Sequence, residues 1–451
     1  MKRLLHNAQI TNEGRTFYGS ILIDQERIVA VYSGLTALND LPEETRGAQL
    51  ESCEGLWVFP GVIDDQVHFR DPGLTHKADI ESESRAAIAG GVTSFMDMPN
   101  TNPATTSYDA LMWKREHAEE ISWGNYAFFV GGTNSNAEEL FKLDPQLIPG
   151  IKLFLGASTG NMLVDRRDTI ETFFAESPHL IAIHSESEEV IRKNKAEYIQ
   201  RYGEDPPITY HPLIRSHEAC YRCTSEALDR ATKYGTRLHV LHLSTAQEVA
   251  LFDAKTALEA KKITSEVCVH HLWFTDQDYT TLDTRIKWNP SIKTVNDREA
   301  LRHGLVQGQL DIVATDHAPH LLSEKQGGAL KAASGGPLIQ YSLLAMLQLA
   351  HQGLWSKELV VEKMCHAPSK LFGIQGRGYI RPGYYADLVL INPQKQTTVS
   401  TDTIVSRCGW SPFEHCSFSC SVESTYVNGH RAYHRGLFIT RPSVKPLLFV
   451  R

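Results

Sequence analysis

Residues 78–98 read ADIESESRAAIAGGVTSFMDM, a helical pattern that runs straight into a short apolar, β-prone strand. The same step recurs on both sides of it. Strand candidates are WVFPGVID (57–64), GVTSFMDM (91–98), NYAFFVG (125–131), GIKLFLG (150–156), LIAIHSE (180–186), RLHVLHLS (237–244), ITSEVCVHH (263–271) and DIVATDHA (311–318). Helical patterns such as DREALRHGLVQGQ (297–309) lie between most of them. Short apolar strands alternating with helices predict a parallel sheet buried on both faces. Eight such units predict an α/β fold closed as a (β/α)8 TIM barrel, here over residues 59–377. An open doubly wound sheet is the alternative, but no GxGxxG follows the first strand.

Outside this region the pattern changes. LLHNAQITN (4–12), GSILIDQERIVAVY (19–32) and the run up to LWVF (56–59) are β-rich and broken by polar turns. YYADLVLINP (384–393) and STYVNGHRAYHRGLF (424–438) repeat that character, with Asn428-Gly429 as a hairpin signal. Residues 1–58 and 378–451 therefore predict one small composite β-sandwich domain, made from both ends and set against the barrel.

Bulk properties exclude some classes. The 451 residues carry 45 basic and 53 acidic side chains, a net charge of -8, with no long Lys/Arg run. Nothing in that balance points to nucleic acid as a partner. The opening MKRLLHNAQITNEG has no apolar stretch behind its basic residues, and no run approaches the ~18 apolar residues of a membrane span. A cytoplasmic protein without membrane contact is expected. The eight cysteines are scattered, and one CxxC, Cys220 to Cys223, reads as reduced thiols on a helix.

Ligand-type residues fall at the C-terminal ends of the barrel strands: His68, Lys152, His184, His242 and Asp316. One histidine at a strand end is ordinarily a hydrogen-bonded packing residue. Five ligand-type groups on five strands of one barrel point instead to its catalytic rim. Imidazole and carboxylate suit a divalent metal such as zinc. Lys152 sits in an apolar run, where desolvation disfavours its charge. A neutral lysine amine can add carbon dioxide, and the resulting carbamate can bridge two metals. A metal can lower the pKa of bound water to about 7. Asp316 could then hold the water and carry its proton to a leaving nitrogen.

PGVIDDQVHFRDPGLTHKADI (60–80), GGVTSFMDMPNT (90–101), GIKLFLG, LHVLHLS (238–244), KWNPSIKT (287–294) and ATDHAPH (314–320) together resemble the class I-like dihydroorotases of the amidohydrolase superfamily. The resemblance spans about residues 55–390 and implies reversible hydrolysis of (S)-dihydroorotate to N-carbamoyl-L-aspartate, a step of pyrimidine (UMP) biosynthesis. It implies Asp316 as catalytic residue, and His68, Lys152, His184, His242 and Asp316 as metal ligands. It implies one or two Zn2+ per subunit and a CO2-derived carbamate on Lys152. Arg70, Asn100, Asn289 and His320 would bind substrate, Arg70 gripping a carboxylate with its planar guanidinium. His270 and His271 read as structural, and the SGGPLIQ loop (334–340) as a cover for substrate. A homo-oligomer, a dimer in the simplest case, acting on a small molecule is expected. Hydantoinase, dihydropyrimidinase and allantoinase are rivals within the superfamily, but their uncharged substrates have no need of such an arginine.

One residue departs from the pattern. The family's first motif is His-x-His, and here it is Gln66-Val67-His68. Zinc sites use mainly Cys, His and carboxylate, so the Gln66 oxygen is at best a weak ligand. The half-site of His68, the Lys152 carbamate and Asp316 loses a ligand, whereas that of the carbamate, His184 and His242 keeps its set. The departure also raises a non-enzymatic reading, an assembly partner of aspartate transcarbamoylase. Against it stands the retention of every other ligand.

Overall fold

The computed structural model describes residues 2–155 and 162–450; Gly156, the last residue of the GIKLFLG motif, lies outside them. The chain opens with β1 (Lys2–Asn12), β2 (Arg15–Asp24), β3 (Arg27–Ser33), β4 (Gln49–Ser52) and β5 (Trp57–Pro60). Gly61 then separates β5 from β6 (Val62–Val67), and the two halves of the WVFPGVID run join different sheets.

From β6 the barrel strands follow in order: β7 (Val92–Asp97), β8 (Asn125–Phe128), β9 (Val130–Gly131), β10 (Ile151–Phe154), β11 (Ile181–His184), β12 (Leu238–Val240), β13 (Ile263–Cys268) and β14 (Ile312–Ala314). Strands β6 to β8 pair in parallel, as do β9 to β14. Phe129 N–H donates to the Asp97 carbonyl at 3.0 Å, so β8 and β9 are two halves of one barrel strand. The ring closes where Val67 bridges His317 in parallel and His68 N–H donates to the His317 carbonyl at 2.7 Å. This is a (β/α)8 barrel, and its strands read as apolar runs because both faces are covered.

The helix α1 (Ile80–Ala89) shows how local sequence sets the path. Asp79 caps it, accepting from Ser82 N–H at 2.7 Å, while Ser82 Oγ accepts from Asp79 N–H at 3.2 Å. At its end Gly91 has φ +85°, and a Cβ there would come within 2.6 Å of Val389 Cγ2. A glycine lets the barrel approach the second sheet at that point.

That sheet takes β15 (Leu388–Asn392) and, past the small pair β16 (Thr397–Thr398) and β17 (Ser417–Phe418), β18 (Ser421–Val427), β19 (His430–His434) and β20 (Leu437–Phe438). It is mixed and nine-stranded, in the order β20-β19-β18-β15-β5-β1-β2-β3, with β4 also paired to β1. After β20 the chain returns to the barrel: Leu447 N–H donates to the Tyr126 carbonyl at 2.8 Å. Among the described residues no helix is long and apolar enough to cross a membrane.

A buried polar cluster ties the two parts together. The Arg377 guanidinium pairs with Asp387 and donates to Asn428 Oδ1 at 2.8 Å. Asn428 Nδ2 donates at 2.8 Å to Asn125 Oδ1, on barrel strand β8. Breaking a buried pair by removing one partner leaves an uncompensated charge and costs about 3–5 kcal/mol. Arg377→Met should lower the unfolding free energy by about that amount in a urea titration, whereas breaking the exposed, solvent-screened Lys142–Glu138 pair should change it little.

Candidate active site

The C-terminal ends of the barrel strands open on one cavity of about 710 Å³. Its lining includes Gln66, His68, Lys152, His184, His242 and Asp316, together with Arg70, Asn100, Asn289 and His320. Sequence pattern explains the convergence: side chains alternate along a strand, so Gln66 and His68 share a face, and the barrel turns that face toward its axis. Three of these residues have left-handed backbones, Arg70 at φ +66°, His242 at +40° and Asp316 at +47°. For residues other than glycine such conformations cost about 1–3 kcal/mol each and persist where the surroundings hold them. Asp64 supplies part of that hold, accepting from Thr315 Oγ1 at 2.6 Å, one residue before Asp316.

The floor is a set of donor atoms with fixed directions. His184 Nε2 faces Glu186 Oε2 at 3.0 Å, and the Arg215 guanidinium pairs with the same carboxylate. That leaves His184 Nδ1 inward, 3.0 Å from His242 Nε2. Burial pushes both imidazoles below their ordinary pKa, so they stay neutral. On the other side His68 Nδ1 is 2.7 Å from Asn100 Oδ1, which turns His68 Nε2 toward Asp316 Oδ1 at 3.1 Å. Between the two pairs, burial holds the Lys152 amine down to about 7. Two neutral imidazoles whose shared hydrogen a metal could replace, a carboxylate and an amine whose charge burial disfavours fit a divalent metal. Glu186 stands behind His184 as a carboxylate stands behind the ligating imidazoles of metal sites.

Gln66 is oriented differently from a ligand. Its Nε2 donates to Asp316 Oδ1 at 3.3 Å, and its Oε1 accepts from Cys268 Sγ at 3.7 Å. The amide thus points its oxygen away from Asp316.

The cavity's outer wall is cationic. Arg70 Nε donates to the Pro319 carbonyl at 3.1 Å, and its Nη2 lies 3.1 Å from His320 Nε2. Lys77 Nζ is 3.2 Å from His320 Nδ1 and donates to Glu324 Oε1 at 2.9 Å. Burial, reinforced by Arg70 and Lys77, holds His320 far below its ordinary pKa. Asn289 Oδ1 is buried without a hydrogen-bond partner among the described residues. Ser334 and Gly335 of the SGGPLIQ loop complete the lining. His270 and His271 do not line it: His270 stacks on Trp288 at 4.6 Å, and His271 Nε2 is 3.2 Å from the Pro290 carbonyl.

A second donor group was not foreseen from the sequence. Asp65, His239 and Glu266 lie buried within the barrel with ligand atoms within 4.8 Å of one another, a group that could hold a metal ion. It is the one such group of His, Cys, Asp and Glu found among the described residues, and it does not line the cavity. His239 Nε2 is 3.5 Å from Asp65 Oδ2 and 3.6 Å from Glu266 Oε2, too long for good hydrogen bonds. The same group can be neutralised by protons. Burial opposes charge on His239, but Asp65 and Glu266 outweigh it and lift its pKa to about 9. Burial and Asp65 push the Glu266 carboxyl above its ordinary range. Two charged residues inside apolar strands, Asp65 in GVIDD and Glu266 in ITSEVC, were the available signal. Lys77 and Glu186 carried no pattern that marked them.

If the cavity holds two metals in unequal half-sites because of Gln66, restoring the histidine should complete the weaker one. Gln66→His should raise bound zinc toward one more equivalent per chain by elemental analysis, and His184→Ala should lower it below the wild-type value.

Comparison with known proteins places these features. The model of the Amidohydrolase family matches residues 57–432. A dihydroorotase from Halobacterium salinarum is 36% identical over 363 residues, covering 79% of this chain and 82% of that protein. An allantoinase from Bacillus velezensis is 30% identical, covering 90% of each. The L-hydantoinase structure from Arthrobacter aurescens superposes with a TM-score of 0.92 at 25% identity, covering 99% of this chain and 100% of that one. Barrel, donor chemistry and relatives together support a metal-dependent hydrolase of small cyclic amides, and the chain belongs to the amidohydrolase family.

Proposed function

We propose that the cavity opens and closes the ring amide of dihydroorotate, interconverting it with N-carbamoyl-aspartate. The observation that carries this reading is the cationic wall. Arg70 and Lys77 both line the cavity and flank His320; Lys77 is paired with Glu324, while Arg70 feels Asp316, Asp97 and Glu324 without an ion pair among the described residues. A ring bearing a carboxylate complements that wall, and an uncharged hydantoin or dihydropyrimidine does not. A dihydroorotase is also the relative at 36% identity. The likeness to the L-hydantoinase and the identity to allantoinases favour a second reading, an uncharged cyclic substrate in the same site.

His68, His184, His242, Asp316 and a carbamate on Lys152 would hold the metal, whereas the Gln66 oxygen is turned to Cys268 and is not counted among the ligands. A divalent metal, when bound, supplies hydroxide at neutral pH and polarises the scissile carbonyl. Asp316 takes a proton on its carboxylate and returns it to the ring nitrogen as the amide bond breaks. Arg70, Asn100, Asn289 and His320 hold the ring so that its carbonyl faces the floor, which converts an encounter into a positioned reaction. Asn100 has a double part here, since its Oδ1 fixes the His68 ring.

Hydrolysis produces a carboxylate and releases a proton near neutrality, so ring opening gains with rising pH and ring closure with falling pH. The zinc-loaded protein should hydrolyse dihydroorotate at alkaline pH and cyclise carbamoyl-aspartate at acidic pH, and Asp316→Ala should reduce both at least a thousandfold. Turnover of hydantoin or allantoin with none of dihydroorotate would establish the second reading. No turnover of any of them, with metal bound, would leave the chain as a non-catalytic homologue such as an assembly partner.

The Lys152 carbamate has its own pH dependence. The amine adds CO2 only when neutral, and burial places that change near pH 7. Carbamate formation should therefore increase as pH rises through 7 and decline below it. A carbamate signal from 13C-bicarbonate in NMR should be stronger at pH 8.5 than at pH 6 and absent in Lys152→Arg.

A further inference from the structure

His320 is held between two cations. Arg70 Nη2 lies 3.1 Å from its Nε2, and Lys77 Nζ lies 3.2 Å from its Nδ1. Guanidinium and ammonium groups can only donate, whereas a neutral imidazole offers one lone pair and one N–H. The ring can accept from one cation only, and its N–H must then face the other.

We propose that Lys77 is a positioning residue for substrate recognition: it occupies the His320 Nδ1 lone pair and so presents the Nε2–H beside Arg70 as a two-donor seat for a carboxylate. This rests on the carboxylate-bearing substrate of the reading above. Lys77 is buried and its ammonium is anchored by Glu324 Oε1 at 2.9 Å, so it is held at the ring. Glu324 Oε2 is the competing acceptor for a proton on Nδ1, but at 3.4 Å it is farther from that nitrogen than Lys77 Nζ. The Ser334 backbone also accepts from the ring, so a carboxylate arriving at the nitrogen that bears the hydrogen has a neutral carbonyl as its competitor. A charged acceptor forms the stronger bond. An oxygen placed between Arg70 Nη2 and His320 Nε2 accepts from both and relieves two donors facing each other. Burial keeps the ring from protonating and abolishing the distinction between its nitrogens. The seat is thus set by a lysine that itself has no need to touch substrate.

The test uses the zinc-loaded protein with two planar ring probes, orotate and uracil, which differ by the carboxylate. Calorimetry should show wild type binding orotate at least tenfold more tightly than uracil. Lys77→Met should lose most of that preference while keeping its uracil affinity, and Lys77→Arg should regain part of it. In protein labelled with 15N in its imidazoles, the His320 resonances, identified by their loss in His320→Gln, should report hydrogen on Nε2. An unchanged orotate preference in Lys77→Met would overturn the role of Lys77 and leave the carboxylate reading standing. Absence of any preference in wild type would overturn both. Hydrogen on Nδ1 in wild type would overturn the proposal without recourse to the variants.

Discussion

Two imidazole nitrogens 3.0 Å apart in a dry floor, His184 Nδ1 and His242 Nε2, are the constraint on which the site depends. Burial holds both rings neutral, and Glu186 takes the outer face of His184, so its lone pair is left pointing inward. The two nitrogens share a hydrogen that a metal would replace, and with a carboxylate and an amine whose charge burial disfavours beside them they are the donors a divalent cation needs. The barrel supplies the aim. Its parallel strands end together, and the left-handed backbones of His242 and Asp316 turn those side chains inward from strand ends that would otherwise carry on past them.

The site has two poles. The floor gathers neutral nitrogens and a buried lysine whose charge is disfavoured, and the wall gathers Arg70 and Lys77 around His320. A substrate with an amide at one end and a carboxylate at the other, as proposed, would span them. The floor alone suits any cyclic amide, which is the chemistry the family shares. On the proposed function, the wall is what would make a charged substrate the better complement, with His320 set between two donors.

Much of this was legible in the sequence because barrel strands repeat one physical pattern. Short apolar runs between helices marked eight strands, and histidines at their ends stood out against that background. The split at Gly61 was read through, although Pro60-Gly61 is a turn signal, because the apolar residues on both sides of it run on as if they were one strand. Nor was the wall. Lys77 lies in a polar segment, GLTHKADI, where a lysine is unremarkable until folding brings it against a residue more than two hundred positions away. Asp65 and Glu266 are the opposite case: charges within apolar strands that meet His239 only once the barrel is closed.

The claim that the cavity floor is the metal centre is tested most directly by anomalous scattering at the zinc edge from crystals of the native protein. The strongest peak should lie between His184 Nδ1 and His242 Nε2, with density for a carbamate extending from Lys152. A peak confined to Asp65, His239 and Glu266, with an unmodified Lys152 and nothing at the floor, would contradict it.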